Sequence, residues 1–424
     1  MDYKLNRLAN GLRILTVPMP GLESATVTVW VKTGSRFEEK RINGISHFLE
    51  HMVFKGGKKR PTAKEISEAV DAIGGEFNAA TSKDWTNFYI KVRKGHLETA
   101  MDVLSDMVLN PILDPEEIER EKGTIIQELA MYDDTPIMKI QDVFEASAFE
   151  GSSLSWDVGG EKESVSRVKK EDFLNYRALH YHPDKMLISV SGGINEDDVL
   201  ALSKKYFSSV NSESKETKTE NFKLGRKDPK FVLKTKKLEQ AHIILGFISE
   251  GRGYEGRFAQ GILSTILAGP MSSRLFIEVR ERRGLAYAVK PSLDKFEETG
   301  YLGVYAGVDP KKAEEAIRVI LDQVHGLASG KYPVSPKELE KTKEYIKGHI
   351  ALSLEDTMAA GDFFAEQVLF LKEILTPEEI YQKIDKVSID EVISEAKKLF
   401  AKNRLNMAII GPYTDGEKFK KLLS

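Results

Sequence analysis

The sequence reads NGISHFLEHMVFKG from Asn43 to Gly56, and three of its side chains are spaced for shared chemistry. His47 and His51 are four residues apart, and Glu50 lies three residues after the first histidine. On a helix these spacings place all three side chains on one face. We predict that Asn43 caps the start of this helix and that the glycine pair beginning at Gly56 ends it.

The motif His47-Phe-Leu-Glu50-His51 predicts a zinc site. Two imidazoles one helical turn apart can share a zinc ion, and the carboxylate between them can reach a water molecule at the metal. The residue order is the reverse of the HExxH motif of metalloproteases. A solvated helix face with two unrelated histidines is the alternative, because the pattern arises by chance in roughly one sequence in a hundred of this kind.

A third metal ligand must be Asp, Glu or another His, because the chain has no cysteine. The lack of cysteine also excludes disulfides, thiolate ligands and cysteine nucleophiles. The segment that begins at Asp114 predicts a helix with Glu121 and Glu128 on one stripe, two turns apart. Most helix glutamates are solvated surface residues, and spacing alone does not choose a ligand among the acids of this chain.

The composition is typical of a globular protein with more than one domain. The chain has 424 residues, of which 41% are hydrophobic and 30% are charged. Its net charge of -3 gives no general attraction to nucleic acid or to an anionic membrane. We expect no signal peptide and no membrane span, since no apolar run approaches the roughly 18 residues that a span needs. Cytoplasm is the expected compartment.

The two halves of the sequence resemble each other in the order of their features. A polar stretch over residues 210–230 is predicted to link a domain of residues 1–209 to a domain of residues 231–424. Five pairs of features recur in order: strand-like runs at Ala25–Val31 and His242–Ile248, helical segments at 44–55 and 259–268, proline-led helix starts at Asp114 and Ser335, helix starts near Val168 and Val387, and closing strands at Met186–Gly192 and Met407–Gly411. We therefore predict an α+β protein with two duplicated domains of similar fold, each a largely antiparallel sheet with helices packed on one face.

The second half does not repeat the histidine motif. The positions that correspond to the two histidines and the glutamate are Ile262, Thr265 and Ile266, and these side chains cannot bind a metal. The second domain is therefore predicted to be a copy without metal. It contains SSRLFIEVRERRGLAYAV, in which Arg280 lies late on a helix and Tyr287 enters the next strand. From the residues alone, these two are a surface charge and a strand core residue.

A segment rich in small residues follows the histidine motif. The sequence GGEFNAATSKDWTNFYIKV predicts a hairpin whose first strand runs through Asn78 to Thr81. Such a strand at the edge of a sheet can accept an extended peptide as an added strand. An ordinary hairpin is the alternative, and the residues alone do not exclude it.

Nearly the whole chain resembles the M16 family of zinc peptidases, the inverzincins that include mitochondrial processing peptidase β subunits, pitrilysin and insulin-degrading enzyme. The resemblance is carried by NGLRI, VKTGSR, NGISHFLEHMVFKG, GGEFNAATSKDWTNFY, the glutamate-rich helix after Asp114, and SRLFIEVRERRGLAYAV. The likeness is closest to the short bacterial members. It implies a LuxS/MPP-like metallohydrolase fold and the activity of a zinc metalloendopeptidase.

The resemblance also implies a role for each residue of the metal site. It implies that Glu128 is the third zinc ligand beside His47 and His51, with one zinc ion per chain. It implies that Glu121 supports the site from outside the ligands. Glu50 is implied to accept a proton from the attacking water and to deliver it to the leaving amine.

Further family positions imply contacts with the substrate. Arg280 and Tyr287 match the spacing of a family pair that stabilises the tetrahedral oxyanion. Asn78 and Ala79 match positions along the bound peptide, and Phe48, inside the histidine motif, is also assigned to substrate binding. These assignments come from the resemblance and not from the spacing of the residues.

Processing-peptidase relatives read an arginine of the substrate with two acidic residues. One of these positions is Asp142 in this chain, whereas the other is Met138. The second position therefore departs from the family pattern, and a strict requirement for arginine is not expected.

The resemblance implies a partner for a chain of this length. Two-domain relatives pair into a clamshell whose chamber admits peptides and unfolded segments. We expect a homodimer, because this chain has both the zinc residues and the Arg/Tyr pair, and a heterodimer with an inactive paralogue stays open. Two other functions stay open as well: a non-catalytic scaffold, and a zinc hydrolase that acts on something other than peptides. No nucleic-acid or membrane partner is expected.

Overall fold

Runs of β-branched and aromatic residues form the strands of two separate sheets. The computed structural model describes residues 1–210 and 221–423. Contacts within these residues divide the chain into two units. Unit 1 consists of residues 1–130, 156–210 and 351–377, and unit 2 consists of residues 131–155, 221–350 and 378–423.

Unit 1 contains a six-stranded sheet. Its strands are β1 (Lys4–Arg7), β2 (Arg13–Pro18), β3 (Ser24–Val31), β4 (Glu76–Thr81), β5 (Thr86–Arg93) and β6 (Met186–Gly192). The strand order is β1-β2-β6-β3-β5-β4, and every neighbouring pair is antiparallel except β2 with β6. Strand β4 is therefore an edge of the sheet.

Unit 2 contains a five-stranded sheet. Its strands are β7 (Lys230–Thr235), β8 (Ala241–Glu250), β9 (Ala286–Lys295), β10 (Thr299–Val308) and β11 (Leu405–Gly411). The strand order is β7-β11-β8-β10-β9, and only β7 with β11 is parallel.

Helices connect and cover the strands. They are α1 (Ile45–Val53), α2 (Ala63–Asp71), α3 (Leu97–Leu109), α4 (Pro115–Asp134), α5 (Pro136–Ala148), α6 (Lys162–Arg167), α7 (Lys170–His180), α8 (Glu196–Phe207), α9 (Arg257–Ala268), α10 (Ala313–Ser329), α11 (Pro336–Ser353), α12 (Thr357–Phe370), α13 (Pro377–Lys386), α14 (Ile389–Leu399) and α15 (Glu417–Lys420), with a π-helical segment at Phe276–Glu281. Within the described ranges, none of these helices has the length and apolar character needed to cross a membrane.

Apart from the additional strand β1, the two sheets have the same topology. The order β2-β6-β3-β5-β4 corresponds strand by strand to β7-β11-β8-β10-β9, including the single parallel pair. Helices α4 and α11 both begin with the predicted proline, at residues 115 and 336. The prediction of an α+β protein with two similar, largely antiparallel sheets is confirmed.

Alternation along β3 gives the first sheet two differently covered faces. Val27 and Val29 are fully buried in an apolar core that includes Phe48 of α1. Thr26 points the other way, and its Oγ1 lies 2.7 Å from Thr357 Oγ1 on α12. A helix therefore packs on each face of this sheet, whereas the sequence predicted helices on one face. Small polar residues on the second face look like solvent-facing positions in a sequence, so the pattern concealed α12.

Each unit includes a helix from the other half of the sequence. Helix α12 packs on β3 and β6 in unit 1, where Ser191 Oγ donates to the Thr357 carbonyl at 2.6 Å. Helix α5 packs on β8 and β11 in unit 2, where it buries Phe144 completely. The predicted domains, 1–209 and 231–424, follow the halves of the chain and lack this exchange.

Residues 211–220 of the predicted linker, 210–230, lie outside the described residues. The part that follows belongs to unit 2. There Phe222 and Leu224 pack against an apolar cluster, and the ring centroids of Phe222 and Phe149 are 5.1 Å apart.

Candidate metal centre

A buried carboxylate fixes the start of α1. Gly44 precedes this helix with a φ of 97°, a left-handed conformation that glycine adopts without strain. The Glu38 carboxylate accepts hydrogen bonds from the backbone N–H groups of Gly44 at 2.7 Å and Ser46 at 2.8 Å. The prediction that Asn43 caps the helix is wrong, because its side-chain amide donates to Glu38 at 2.8 Å. Glu38 satisfies the free N–H groups of the helix in its place.

One face of α1 enters the core. Phe48, Leu49 and Met52 are at most 1% exposed. Phe48 packs edge-on against Phe173, with 4.9 Å between the ring centroids. The prediction that Phe48 contacts the substrate is therefore wrong, because this side chain has no exposed surface. The helical period that turns the motif residues outward turns Phe48 inward.

His47, His51 and Glu128 converge into one group that could hold a metal ion. The Nε2 atoms of the two histidines are 3.2 Å apart. Glu128 on α4 places Oε1 3.7 Å from His47 Nε2 and Oε2 3.4 Å from His51 Nε2. A tetrahedral zinc ion with bonds of about 2.0–2.2 Å separates its ligand atoms by roughly 3.3 Å. The three side chains therefore fit a zinc ion in both chemistry and spacing.

Glu121, the other predicted helix glutamate, contacts a histidine of the group from behind. Its Oε1 lies 2.8 Å from His51 Nδ1, and its Oε2 lies 2.5 Å from Lys55 Nζ. Burial tends to raise the pKa of this carboxyl, but the hydrogen bonds from His51 and Lys55 outweigh burial and hold the pKa below its usual value. A charged Glu121 accepts a hydrogen bond from His51 when Nδ1 carries the ring proton, and Nε2 is then the nitrogen with a lone pair for a metal.

The two histidines differ in proton affinity. Burial, and then the neighbouring His51, hold the pKa of His47 below its usual value. Burial also lowers the pKa of His51, but its hydrogen bonds to Glu121 and Glu128 outweigh burial, and the pKa lies above its usual value. The site thus places two carboxylates beside two imidazoles. A divalent cation that binds there displaces the proton that the group otherwise holds.

Glu50 lies on the same face of α1 but outside the ligand group. Its Oε2 accepts a hydrogen bond from Thr81 Oγ1 at 2.5 Å. Burial raises the pKa of the Glu50 carboxyl. Thr81 was not predicted as a site residue, although the sequence placed it at the end of the strand considered for peptide binding.

Strand β4 has the alternation of an edge strand beside a helix. Phe77, Ala79 and Thr81 are half-buried and share the face that packs near α1, whereas the residues between them are exposed. Asn78 is one of the exposed residues, and its Oδ1 accepts a hydrogen bond from the backbone N–H of Ala79 at 2.9 Å. The predicted peptide-binding residues therefore lie on a free sheet edge, next to the helix that contains Glu50.

Arg280 and Tyr287 are neighbours in unit 2. The Arg280 guanidinium lies over the Tyr287 ring at 5.3 Å and over the Phe276 ring at 4.8 Å. Arg280 is in the π-helical segment, a form of helix that is frequent at functional sites. Tyr287 is 76% exposed on the edge strand β9, so it is not a strand core residue. Phe276 was missed in the sequence, where nothing distinguished it from a core aromatic residue.

Asp142 and Met138 lie on α5, which belongs to unit 2. The Asp142 carboxylate is paired with Lys139 Nζ at 3.0 Å, one helical turn away. Met138 is 47% exposed. The metal group is in unit 1, and the structure does not bring Asp142 into that group.

The counterpart of α1 in unit 2 is the apolar helix α9. Ile262 and Ile266 are buried in the second core. Thr265 Oγ1 donates to the carbonyl of Gly261 at 2.9 Å. Among the described residues, the group of His47, His51 and Glu128 is the single one that could hold a metal ion. The second unit is thus a copy without metal in the part that the structure describes.

Two family models match this chain. The insulinase (peptidase family M16) model matches residues 13–161, which include the histidine motif and Glu128. The peptidase M16 inactive domain model matches residues 167–346. Together the two matches cover more than half of the chain.

Similar proteins are named as zinc proteases. One from Mycobacterium leprae is 35% identical over 98% of this chain and 93% of its own length. One from Bacillus subtilis is 35% identical over 95% of this chain and 97% of its own length. These relatives, with the His-His-Glu group described above, identify the cofactor as Zn²⁺.

Solved structures share the fold. A protease from Helicobacter pylori superposes with a TM-score of 0.90 at 23% identity, over 96% of this chain and 99% of that one. A peptidase M16 inactive domain from Pseudomonas fluorescens superposes with a TM-score of 0.89 at 15% identity, over 98% of each chain. The two-unit architecture is therefore that of known M16 structures, and with the matching family models and relatives it follows that the chain belongs to the M16 family of zinc peptidases.

Proposed function

We propose that this chain is a zinc metalloendopeptidase that hydrolyses peptides or unfolded segments, with zinc on His47, His51 and Glu128. The observation that carries the proposal is the convergence of His47 and His51 of α1 with Glu128 of α4, with Glu50 on the same helix as the two histidines. Metal peptidases need such a three-residue set with a further position left for water and substrate.

Each residue of the centre has a separate task. When bound, zinc supplies Lewis acidity, which makes water a stronger acid and polarises a carbonyl group. Glu50 accepts the proton of the attacking water and delivers it to the nitrogen of the leaving amine. Glu121 holds the ring of His51 through Nδ1, at 2.8 Å, and so keeps Nε2 directed at the group.

We propose that the substrate binds as an additional strand along the free edge of β4. The free backbone groups of an edge strand pair with an extended peptide of any sequence. The Ala79 N–H, which now donates to Asn78 Oδ1 at 2.9 Å, would donate to a peptide carbonyl instead. A peptide on this edge lies beside α1, since β4 packs against that helix.

We propose that Arg280 and Tyr287 of unit 2 donate hydrogen bonds to the substrate oxygen on which negative charge develops. Stacking of the guanidinium between Phe276 and Tyr287 holds it in one orientation. Asp142 remains a proposed contact for basic substrate side chains. Because Met138 replaces the second acid of that pair, we propose no strict requirement for arginine.

We also propose that two copies pair as a homodimer. The chain has a complete zinc set and the Arg/Tyr pair, so that two identical copies supply every residue that the mechanism uses. Pairing with an inactive paralogue is the alternative, and the oligomeric state of the purified chain distinguishes the two.

The test is cleavage of a quenched peptide library by the zinc-loaded protein, with and without a chelator. We expect cleavage that the chelator abolishes, and mass spectrometry of the products then gives the site preference. Glu50→Gln is the matched control: it should retain zinc and lose about 10²–10⁴-fold in turnover, the contribution typical of a general base. If zinc-loaded protein gave no chelator-sensitive cleavage, the proposal would be wrong and a scaffold role would be favoured.

A further inference from the structure

The carboxylate of Glu50 is held by one residue that the proposed mechanism does not use. Thr81 Oγ1 donates to Glu50 Oε2 at 2.5 Å. Among the described residues, 1–210 and 221–423, the Glu50 side chain makes this one hydrogen bond. A glutamate side chain has three rotatable bonds, so that one fixed oxygen removes most of its freedom to turn.

Thr81 is itself in a fixed position. It is the last residue of β4 and lies opposite Thr86 of β5 in the antiparallel register. The Thr86 hydroxyl takes no part in this, because its Oγ1 donates instead to the carbonyl of Thr33 at 3.0 Å. Threonine is branched at Cβ and has few χ1 positions, so its hydroxyl does not move far from this point.

The turn after β4 is held by hydrogen bonds from the segment that follows β3. The backbone N–H of Ser35 donates to the carbonyl of Ser82, and the N–H of Arg36 donates to the carbonyl of Lys83, each at 3.1 Å. Arg36 Nη1 pairs with Asp84 Oδ1 at 3.0 Å, and the side chains are 2% and 0% exposed. Removing one partner of such a buried pair leaves an uncompensated charge, so the pair holds the turn firmly in one place.

We propose that Thr81 is a positioning residue, whose hydroxyl fixes the carboxylate of Glu50 in the orientation in which it receives and returns the proton. This inference rests on the proposed role of Glu50. Thr81 faces α1 from the same strand whose free edge is proposed to bind the peptide. The strand therefore sets both the path of the substrate and the direction of the base.

The test compares two substitutions of Thr81 with one of Thr86. Thr81→Val removes the hydroxyl and keeps the shape, and we expect kcat to fall about 10–100-fold, as for a misplaced catalytic group. KM and zinc affinity should stay within about twofold of the wild type, because neither depends on this hydrogen bond. Thr81→Ser should restore kcat to within about threefold. Thr86→Val is the matched control, since it removes a buried hydroxyl of the same hairpin that contacts Thr33 instead of Glu50.

A second measurement does not depend on turnover. Cobalt(II) can replace zinc in such sites, and its visible absorption reports on the geometry around the metal. We expect Thr81→Val and Glu50→Gln to shift the cobalt bands in the same direction, and Thr81→Ser and Thr86→Val to leave them unchanged. Peptide cleavage by the wild type tests the proposed function, whereas these spectra test Thr81 even when no peptide is cleaved.

Three results would each overturn the inference. The first is a Thr81→Val protein with wild-type kcat or with unchanged cobalt bands. The second is a Thr81→Ser protein as impaired as Thr81→Val, which would make the methyl group responsible. The third is a loss of kcat in Thr86→Val equal to that in Thr81→Val. Such a result would show that both substitutions lower kcat by destabilising the hairpin.

Discussion

Two glutamates on α4 have different surroundings although they share one stripe of the same helix. The Glu128 side chain is 24% exposed and reaches both histidines with its two oxygens. The Glu121 side chain is 5% exposed and is enclosed between His51 and Lys55. In the sequence the two residues are seven positions apart on one helical stripe, and nothing there distinguishes them. The difference comes from Lys55, four residues after His51, which pairs with Glu121.

Glu121→Gln should weaken zinc binding without removing a ligand. The glutamine oxygen can still accept a hydrogen bond from Nδ1 of His51, but it lacks the negative charge that raises the basicity of the ring. We expect the Kd for zinc to rise about 10–100-fold, as for other residues that support a metal ligand. Competition with a chromogenic chelator measures the change. Glu119→Gln, on the exposed side of the same helix, should leave the Kd unchanged; equal affinities of Glu121→Gln and wild type would contradict the role.

Because of Asp362 on α12, we expect the free energy of unfolding to depend on pH. Burial, and then the negative charges of Glu366 and Asp356, raise the pKa of Asp362 to about 7. An unfolded aspartate has a pKa of about 3.9, so the folded state binds the proton more tightly. The free energy of unfolding should therefore fall as the pH rises from about 4 to about 7, and it should level off above that range.

Asp362→Asn should remove this dependence, because asparagine does not ionise. Urea denaturation at pH 4, 6 and 8 would show the variant close to the wild type at pH 4 and more stable than the wild type at pH 8. Glu355→Gln, an exposed acid before the same helix, serves as the control and should follow the wild type. A constant difference between Asp362→Asn and wild type at all three values would refute the assignment.

At the scale of the elements, the β4–β5 hairpin depends on a close approach of backbone to backbone. A Cβ atom on Gly34 would lie 2.1 Å from the carbonyl oxygen of Ser82, which is in the turn that follows Thr81. That oxygen belongs to the main chain and cannot move alone. Any side chain at Gly34 would therefore displace the turn and the end of β4.

Gly34→Ala should lower both stability and turnover. We expect the free energy of unfolding to fall by about 1–3 kcal/mol, as for overpacking of a tight site, and kcat to fall because Thr81 moves away from Glu50. Denaturant unfolding and steady-state kinetics measure the two effects. Gly123→Ala on α4 is the contrast: no atom lies within 4 Å of its added Cβ, and a helix gains from alanine at such a site. A Gly34→Ala protein as stable as the wild type would contradict the close approach.

Periodic elements could be predicted from the sequence, and contacts between distant segments could not. The spacing of His47 and His51 requires no knowledge of other elements, and the recurrence of proline-led helix starts exposed the duplication. The cap of α1 comes instead from Glu38, which reaches the helix from the preceding loop through its side chain. Thr81 likewise acquires its contact only when β4 packs beside α1. No local pattern encodes either contact.

At the scale of the whole molecule, the proposed homodimer predicts complementation between two inactive variants. One variant is Glu50→Gln, and the other combines Arg280→Ala with Tyr287→Phe. If these residues of one copy serve the metal centre of the other, a mixed dimer has one centre with all residues intact. Random exchange then restores up to about a quarter of the wild-type activity.

The measurement is peptide cleavage after the two variants are mixed and allowed to exchange subunits. Each variant alone, at the same total concentration, is the control and should stay inactive. Mixing that restores no activity, in a sample where native mass spectrometry detects mixed dimers, would exclude shared centres. A strictly monomeric wild type would exclude the homodimer itself.

The exchange of α5 and α12 also makes the two halves of the chain depend on each other. The two helices begin at residues 136 and 357, with the same separation as the proline-led starts of α4 and α11, so they are the same element of the duplicated half. A protein of half this length would leave that face of its sheet uncovered unless a second copy supplied the helix in exchange. In the single chain the two helices are exchanged between covalently linked halves, at an effective concentration that does not depend on expression. Each half therefore needs the other to cover its own sheet.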